Sequence, residues 1–144
     1  MITVGVDGSH SSESALRFAS EEARLHGAKL RVVIAWEIPA TIYLAPGAYD
    51  AVKADTIEQN SRETARSQIE RVLGPADGRD IEVVARQGAP AAVLIDESER
   101  AQMLVVGSRG HGGFAGLLLG SVSQQCASHA HCPVVIVQPS SEEP

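Results

Sequence analysis

Val105-Val106-Gly107-Ser108-Arg109-Gly110-His111-Gly112-Gly113-Phe114-Ala115-Gly116-Leu117-Leu118-Leu119-Gly120-Ser121-Val122-Ser123 is the stretch on which the reading of this chain turns. An apolar run from Met103 to Val106 leads into it, and a run with helical character continues towards Ala130. Six glycines fall between Gly107 and Gly120, both included. Glycine costs backbone entropy, so a cluster calls for turns with positive φ or a close approach of backbone to a ligand. A strand, a glycine loop and a helix N-terminus, in that order, make an anion site, because free N–H groups and the helix dipole face the same way. Taken alone, the stretch reads either as a phosphate-holding loop or as a flexible surface loop. The rest of the chain has to choose between them.

Working outward, short β-branched runs alternate with amphipathic ones. Ile2 to Val6 reads as a strand, closed by Asp7-Gly8-Ser9, with Ser9 as the N-cap of a helix. That helix carries Ala15, Ala19 and Ala23 at four-residue spacing, a narrow stripe suited to lying close on a sheet, and Gly27 ends it. Lys29 to Trp36 is a second strand, and Glu37 to Asp50 is the longest loop. A second helix is expected from about Ala51 to Leu73, with Ala65, Ile69 and Val72 on its buried side, stopped by Gly74-Pro75. Asp80 to Arg86 is a third strand. Gly88-Ala89-Pro90 then opens a helix with proline at about N1, and this helix fades at the polar run Asp96 to Arg100. Met103 to Val106 is the fourth strand, Gly120 to Ala130 the fourth helix, and Cys132 to Val137 the fifth strand, where an initial proline is tolerated.

Strict alternation of this kind predicts an α/β domain with a parallel sheet and helices on both faces. In such sheets ligands sit outside the carboxyl ends of the strands, where successive connections go to opposite faces. If the first and fourth strands are neighbours, Asp7-Gly8-Ser9 and Gly107-Ser108-Arg109-Gly110 meet at that crevice.

The composition narrows the class. The chain has 144 residues and a net charge of −6, which does not favour a nucleic-acid surface. One tryptophan, two tyrosines and two phenylalanines are too few for an open stacking platform. The first residues have neither a basic region nor a long apolar core, and no apolar run reaches membrane-spanning length, so cytoplasm is the expected location. Cys126 and Cys132 do not make a disulfide framework or a zinc site, and both read as small buried residues. One domain, residues 1–139, is expected, with a polar tail over 140–144.

The spacing Gly107-x2-Gly110-x9-Gly120-Ser121, with Val4-Gly5-Val6-Asp7-Gly8-Ser9, Gly88-Ala89-Pro90 and Cys132-Pro133-Val134, resembles the ATP-binding branch of the universal stress protein family over nearly the whole chain. The resemblance implies a five-stranded parallel sheet in the order 3-2-1-4-5 and a homodimer formed through the last strand. It implies that Asp7, with the adjoining Gly8 and Ser9, meets the ribose or adenosine portion of ATP. The backbone at Ala35 and Trp36 would meet adenine. Val106, Gly107, Ser108, Arg109 and Gly110 would line the nucleotide, and Gly120, Ser121, Val122 and Ser123 would hold its phosphates. His131 departs from the proline or asparagine of many members.

Several of these residues have plainer readings. Asp7 can cap a turn, and Arg109 can be a solvated charge or a phosphate contact. His111 reads as a solvated histidine between glycines, and Ser121 as a helix cap whose hydroxyl faces phosphate. Val122 to His129 reads as a core-packing helix. The loop lacks the G-K-[ST] ending that brings a lysine to a transferring phosphate. Asp7 alone is too little for a metal cage, so Mg²⁺ would ride on the phosphates. The expectation is a nucleotide-binding regulator without efficient catalysis. A slow ATP hydrolase, an adenylate-using transferase (whose S-G-G-x-D-S or H-x-G-H motifs are missing) and a nucleotide-free structural dimer are the alternatives.

Overall fold

Runs rich in Val, Ile and Leu become strands at five places: β1 (Ile2–Gly5), β2 (Leu30–Trp36), β3 (Ile81–Gln87), β4 (Met103–Gly107) and β5 (Val134–Val137). The computed structural model describes residues 1–48, 53–75, 80–111 and 118–140. Between the strands lie α1 (His10–Leu25), α2 (Ala54–Leu73), α3 (Pro90–Ser98) and α4 (Ser121–His129). All strand pairs are parallel, in the order β3-β2-β1-β4-β5. This is the expected order, with β1 and β4 as central neighbours.

Strand alternation divides the core in two. Ile2, Val4 and Val6 point to the face covered by α1 and α2, where they meet Ala15, Leu16 and Ala19 of α1 and Ala65 and Ile69 of α2. Val33, Leu104 and Val106 point to the other face, against Val93 and Leu94 of α3 and Cys126 of α4. The alanine stripe does what its spacing suggests: Ala15 and Ala19 are fully buried, so α1 lies directly on the strands. Burial pushes the Cys126 thiol up to about 11, which leaves it an inert core residue. Among the described residues, no helix is long and apolar enough to cross a membrane.

Some details refine the sequence reading or lie outside the described residues. The loop after β2 contains a short 3₁₀ turn, Ala40–Leu44, begun by Pro39, whose carbonyl accepts from Ile42 N. α2 begins at Ala54, after Lys53 in extended conformation, and the expected start at Ala51 lies outside the described residues. Residues 141–144 of the expected tail also lie outside them. The run Asp96 to Arg100 is not simply a wet helix end. Glu97 is buried and accepts from Arg31 at 2.6 Å and Arg86 at 2.8 Å, while Arg86 also reaches Asp96. Finally, α4 packs on the core as expected through Cys126, with Val122 partly buried beside it and Ser123 also buried, while its other residues are exposed.

Candidate functional site

At the carboxyl ends of β1 and β4 the chain turns to opposite faces: α1 returns on one side and α4 on the other. A cavity of about 540 Å³ opens between them, within the size range of small-molecule sites. One end is apolar, walled by Val33, Ala35, Pro90 and Leu94. The other is formed by Arg109, Gly120, Ser121 and Val122, with Asp7 and Gly110 between the two ends.

The lip from β1 is a tied turn. Asp7 is exposed, and its Oδ1 accepts from Ser9 N at 2.9 Å and Ser9 Oγ at 2.5 Å. Its Oδ2 faces the opposite lip, where a methyl group placed on Gly110 would lie 2.9 Å away. One oxygen thus shapes the turn while the other stays turned to the crevice. Gly8 follows with φ +83°, a conformation that other residues rarely adopt. Its N–H donates to Oε1 of Gln68, a buried side chain of α2. Ser9 then caps α1, accepting from Ser12 N.

The lip from β4 is pressed against α1. Arg109 N donates to Ser11 Oγ at 3.2 Å, and a Cβ on Gly107 would stand 2.8 Å from the Ser11 carbonyl carbon and oxygen. No side chain fits there. His111 is exposed, as expected, but it is not without a partner: Nε2 lies 2.6 Å from the Asp7 carbonyl. A carbonyl only accepts, so this nitrogen carries the proton. The bond joins the two lips across 104 positions of sequence.

The α4 end is built from backbone. Gly120, not Ser121, is the cap, and it has no side chain to satisfy the N–H groups of the first turn. Ser121 is the first helical residue and is exposed. The turn is braced from below. Gly120 N and Ser123 Oγ both donate to the Ser108 carbonyl, at 2.7 and 3.1 Å, while Ser108 N donates to the Val137 carbonyl.

Of the residues singled out from sequence, Asp7, Ala35, Val106, Gly107, Arg109, Gly110, Gly120, Ser121, Val122 and Ser123 line the cavity. Gly8, Ser9, Trp36 and Ser108 stand outside the lining: the first two shape the turn and Ser108 braces α4. Trp36 alternates to the sheet face opposite Ala35, its carbonyl accepts from Gly88 N, and its indole nitrogen has no partner among the described residues. Gly5, Val6, Ser12, Val33, Pro90, Leu94, His111 and Leu119 also line it without having been expected there. Pro90 and Leu94 carried a signal in principle, since they open the helix that follows β3 at the same end of the sheet. Among the described residues, no group of three acidic, histidine or cysteine side chains is placed to hold a metal ion.

The family model described as "Universal stress protein family" matches residues 1–138. A universal stress protein of Mycolicibacterium smegmatis is 39% identical over 141 residues, covering 94% of this chain and 47% of the relative. A universal stress protein of Mycobacterium tuberculosis is 38% identical over 139 residues, covering 96% and 45%. The chain therefore spans about half the length of the curated relatives it matches. Among solved structures, a universal stress protein in complex with cAMP superposes with a TM-score of 0.73 at 28% identity, covering 96% of this chain and 97% of that one. The Lactobacillus plantarum universal stress protein UspA shares the fold, with a TM-score of 0.75 at 20% identity over 94% and 95% of the two chains.

Proposed function

We propose, from the premise that this chain belongs to the universal stress protein family, that its crevice binds ATP and that nucleotide occupancy regulates a response to stress or dormancy. The observation that carries the nucleotide reading is the α4 end of the cavity. A helix begins there with a cap that has no side chain, next to the backbone of Arg109, itself a lining residue, and the opposite end is apolar. First-turn N–H groups and a guanidinium suit phosphate oxygens, and an apolar slot suits a base. The related protein solved with cAMP supports an adenine nucleotide.

In this reading Val33, Ala35, Pro90 and Leu94 enclose adenine, and Asp7 Oδ2 accepts from ribose. Gly107, Arg109 and Gly110 run along the nucleotide, and Ser121, Val122 and Ser123 hold phosphates through backbone N–H groups. Ser123 Oγ already donates to two carbonyls, so its part is carried by the backbone. Mg²⁺ would ride on the phosphates, with Asp7 the only carboxylate among the described lining residues. The set is suited to holding phosphates rather than transferring them, and any hydrolysis is slow. We place this unit, residues 1–139, in the cytoplasm, acting without nucleic acid or membrane.

The reading is tested by denaturing purified protein, identifying any released nucleotide, and titrating ATP by calorimetry. Asp7→Ala is expected to weaken binding about tenfold, the loss of one charge-assisted hydrogen bond. An absence of both released nucleotide and binding overturns it.

The homodimer implied by the resemblance has support in β5. This strand is the sheet edge, and all four of its residues are apolar and half-buried. The Pro133 and Val137 carbonyls accept from Leu104 and Ser108, so alternation turns the backbone groups of Val134 and Ile136 to the open side. An unprotected apolar edge is a template for a second copy. Sedimentation is expected to give twice the chain mass at micromolar concentration and a monomer for Val134→Lys. A monomer for the wild type at all concentrations removes the dimer.

A further inference from the structure

We infer that Gln68, a residue of α2 outside the cavity, positions the Asp7-Gly8-Ser9 turn for the nucleotide and makes α2 responsive to its binding. The inference rests on the nucleotide reading above. Gln68 is 1% exposed and lies among Ala65, Ile69 and Val72 on the side of α2 that faces the core. An amide in such a place is unfavourable unless both its ends are used. Both are used on one loop. Oε1 accepts from Gly8 N at 3.0 Å, and Nε2 donates to Ser12 Oγ at 2.7 Å and towards the Ser9 carbonyl at 3.4 Å. Gly8 N can only donate, which fixes which way the amide faces. Ser12 Oγ passes its own hydrogen to the Ser9 carbonyl at 2.9 Å and receives Asp7 N at 3.4 Å. Every backbone group from Asp7 to Ser9 that this network touches is therefore referred to one buried side chain.

Packing does not do this work. Behind Gly8 lies a polar cleft of about 460 Å³ between the turn and α2, walled by Thr64, Ser67, Gln68 and Arg71. Arg71 bonds Glu13 across its far side and so ties α2 to the first turn of α1. With water-accessible space at its back, the turn is held towards α2 by the bonds to Gln68, beside its internal Asp7–Ser9 bonds and the His111 bond to the Asp7 carbonyl on the other side. None of the described residues lining the nucleotide cavity belongs to α2, so a response of α2 to ligand is indirect, and the bonds of Gln68 are its direct polar link to the Asp7-Gly8-Ser9 lip, beside the Arg71–Glu13 pair and the packing of Ala65 and Ile69.

The test uses the full chain, Mg²⁺ with ATP as the probe, and amide hydrogen exchange. Gln68→Leu fills the same space without bonding. It is expected to weaken ATP binding about tenfold, the scale of one well-made bond to a buried N–H. It should also speed exchange of the Gly8 amide at least tenfold in the ligand-free protein. Gln68→Glu keeps the acceptor for Gly8 and should fall between the two. In the wild type, saturating ATP should slow exchange over residues 64–71. A Gln68→Leu protein that is less stable but binds ATP and exchanges Gly8 like the wild type has lost only packing, and that result overturns the inference. If Gln68→Leu fails to fold, unchanged exchange over 64–71 on adding ATP to the wild type overturns it. A wild type that binds no ATP, with Gly8 exchange still faster in Gln68→Leu, overturns the nucleotide reading and the ligand half of this inference, while supporting the anchoring of the turn.

Discussion

Gly107→Ala is expected to lower the stability of the chain by about 3 kcal/mol, seen as a fall of roughly 10 °C in Tm, and to abolish tight ligand binding with it. The smallest possible side chain is already too large. Its Cβ would collide with Ser11 Oγ and lie 2.8 Å from both the carbonyl carbon and oxygen of Ser11. The hydroxyl can rotate away, but the carbonyl belongs to the first turn of α1. That helix is locked on the sheet by Ala15, Leu16 and Ala19, all fully buried, so it cannot yield by itself. Either α1 lifts or the end of β4 withdraws. Both separate Arg109 N from Ser11 Oγ and open the lips of the crevice. Gly120→Ala is the control. A Cβ there meets Arg109 Cα and the Ser108 oxygen at 3.5 Å, which is ordinary contact, so its stability should stay within about 1 kcal/mol of wild type. Thermal melts of the two variants side by side decide the matter. A Gly107→Ala protein that melts like the wild type would show that the close approach to α1 is not a constraint.

Glu97→Ala is expected to cost about 2–3 kcal/mol, measured by denaturant titration. Removing one member of a buried ion pair leaves the other charge without compensation, which typically costs 3–5 kcal/mol. The lower figure allows for Arg86, whose side chain is 38% exposed and keeps Asp96 as a partner. Arg31 is the residue that suffers, because its side chain is only 14% exposed and retains Glu82 alone. Glu82 carries the electrostatic mark of this network. The hydrogen bond from Arg31, opposed by burial and helped by the charges of Arg31 and Lys29, holds its carboxyl below the ordinary 4.5. A folded-state pKa below the unfolded one gives stability that is fully present above 4.5 and lost as the pH falls through the lower value. Acid unfolding of the wild type should therefore begin below pH 4.5. Glu97→Leu restores volume but not charge balance, and it should recover only part of the loss.

The order of elements was legible because each strand is a short aliphatic run and each helix boundary carries its own chemistry. Ser9 caps α1, Pro90 opens α3 and Gly74 ends α2. The positions of Asp7, Ala35, Gly110 and Gly120 on one cavity followed from that order and the parallel topology. Polar groups with distant partners were harder to read. Glu97 looked like part of a wet helix end because the arginines it serves lie 66 and 11 positions away on β2 and β3. Gln68 sat in plain view between Ala65 and Ile69, but polarity alone does not say which loop a side chain will reach. His111 and the α4 cap were missed for a geometric reason. Which loop residue meets Asp7, and whether Gly120 or Ser121 begins the helix, depends on the path of the chain between two secondary-structure elements, and side-chain periodicity carries no information about that path.

The two lips of the crevice come from segments about a hundred positions apart: Ser11 bonds Arg109 across 98 residues, and Asp7 bonds His111 across 104. Anything that fills the space between them closes that span of chain as a cross-link would, but reversibly. Unfolding has to release it first, so a ligand at a hundred times its Kd would add about 2.7 kcal/mol to the work of opening the sheet between β1 and β4. The lifetime of the folded protein would then follow the supply of that small molecule, with no change of covalent structure at all.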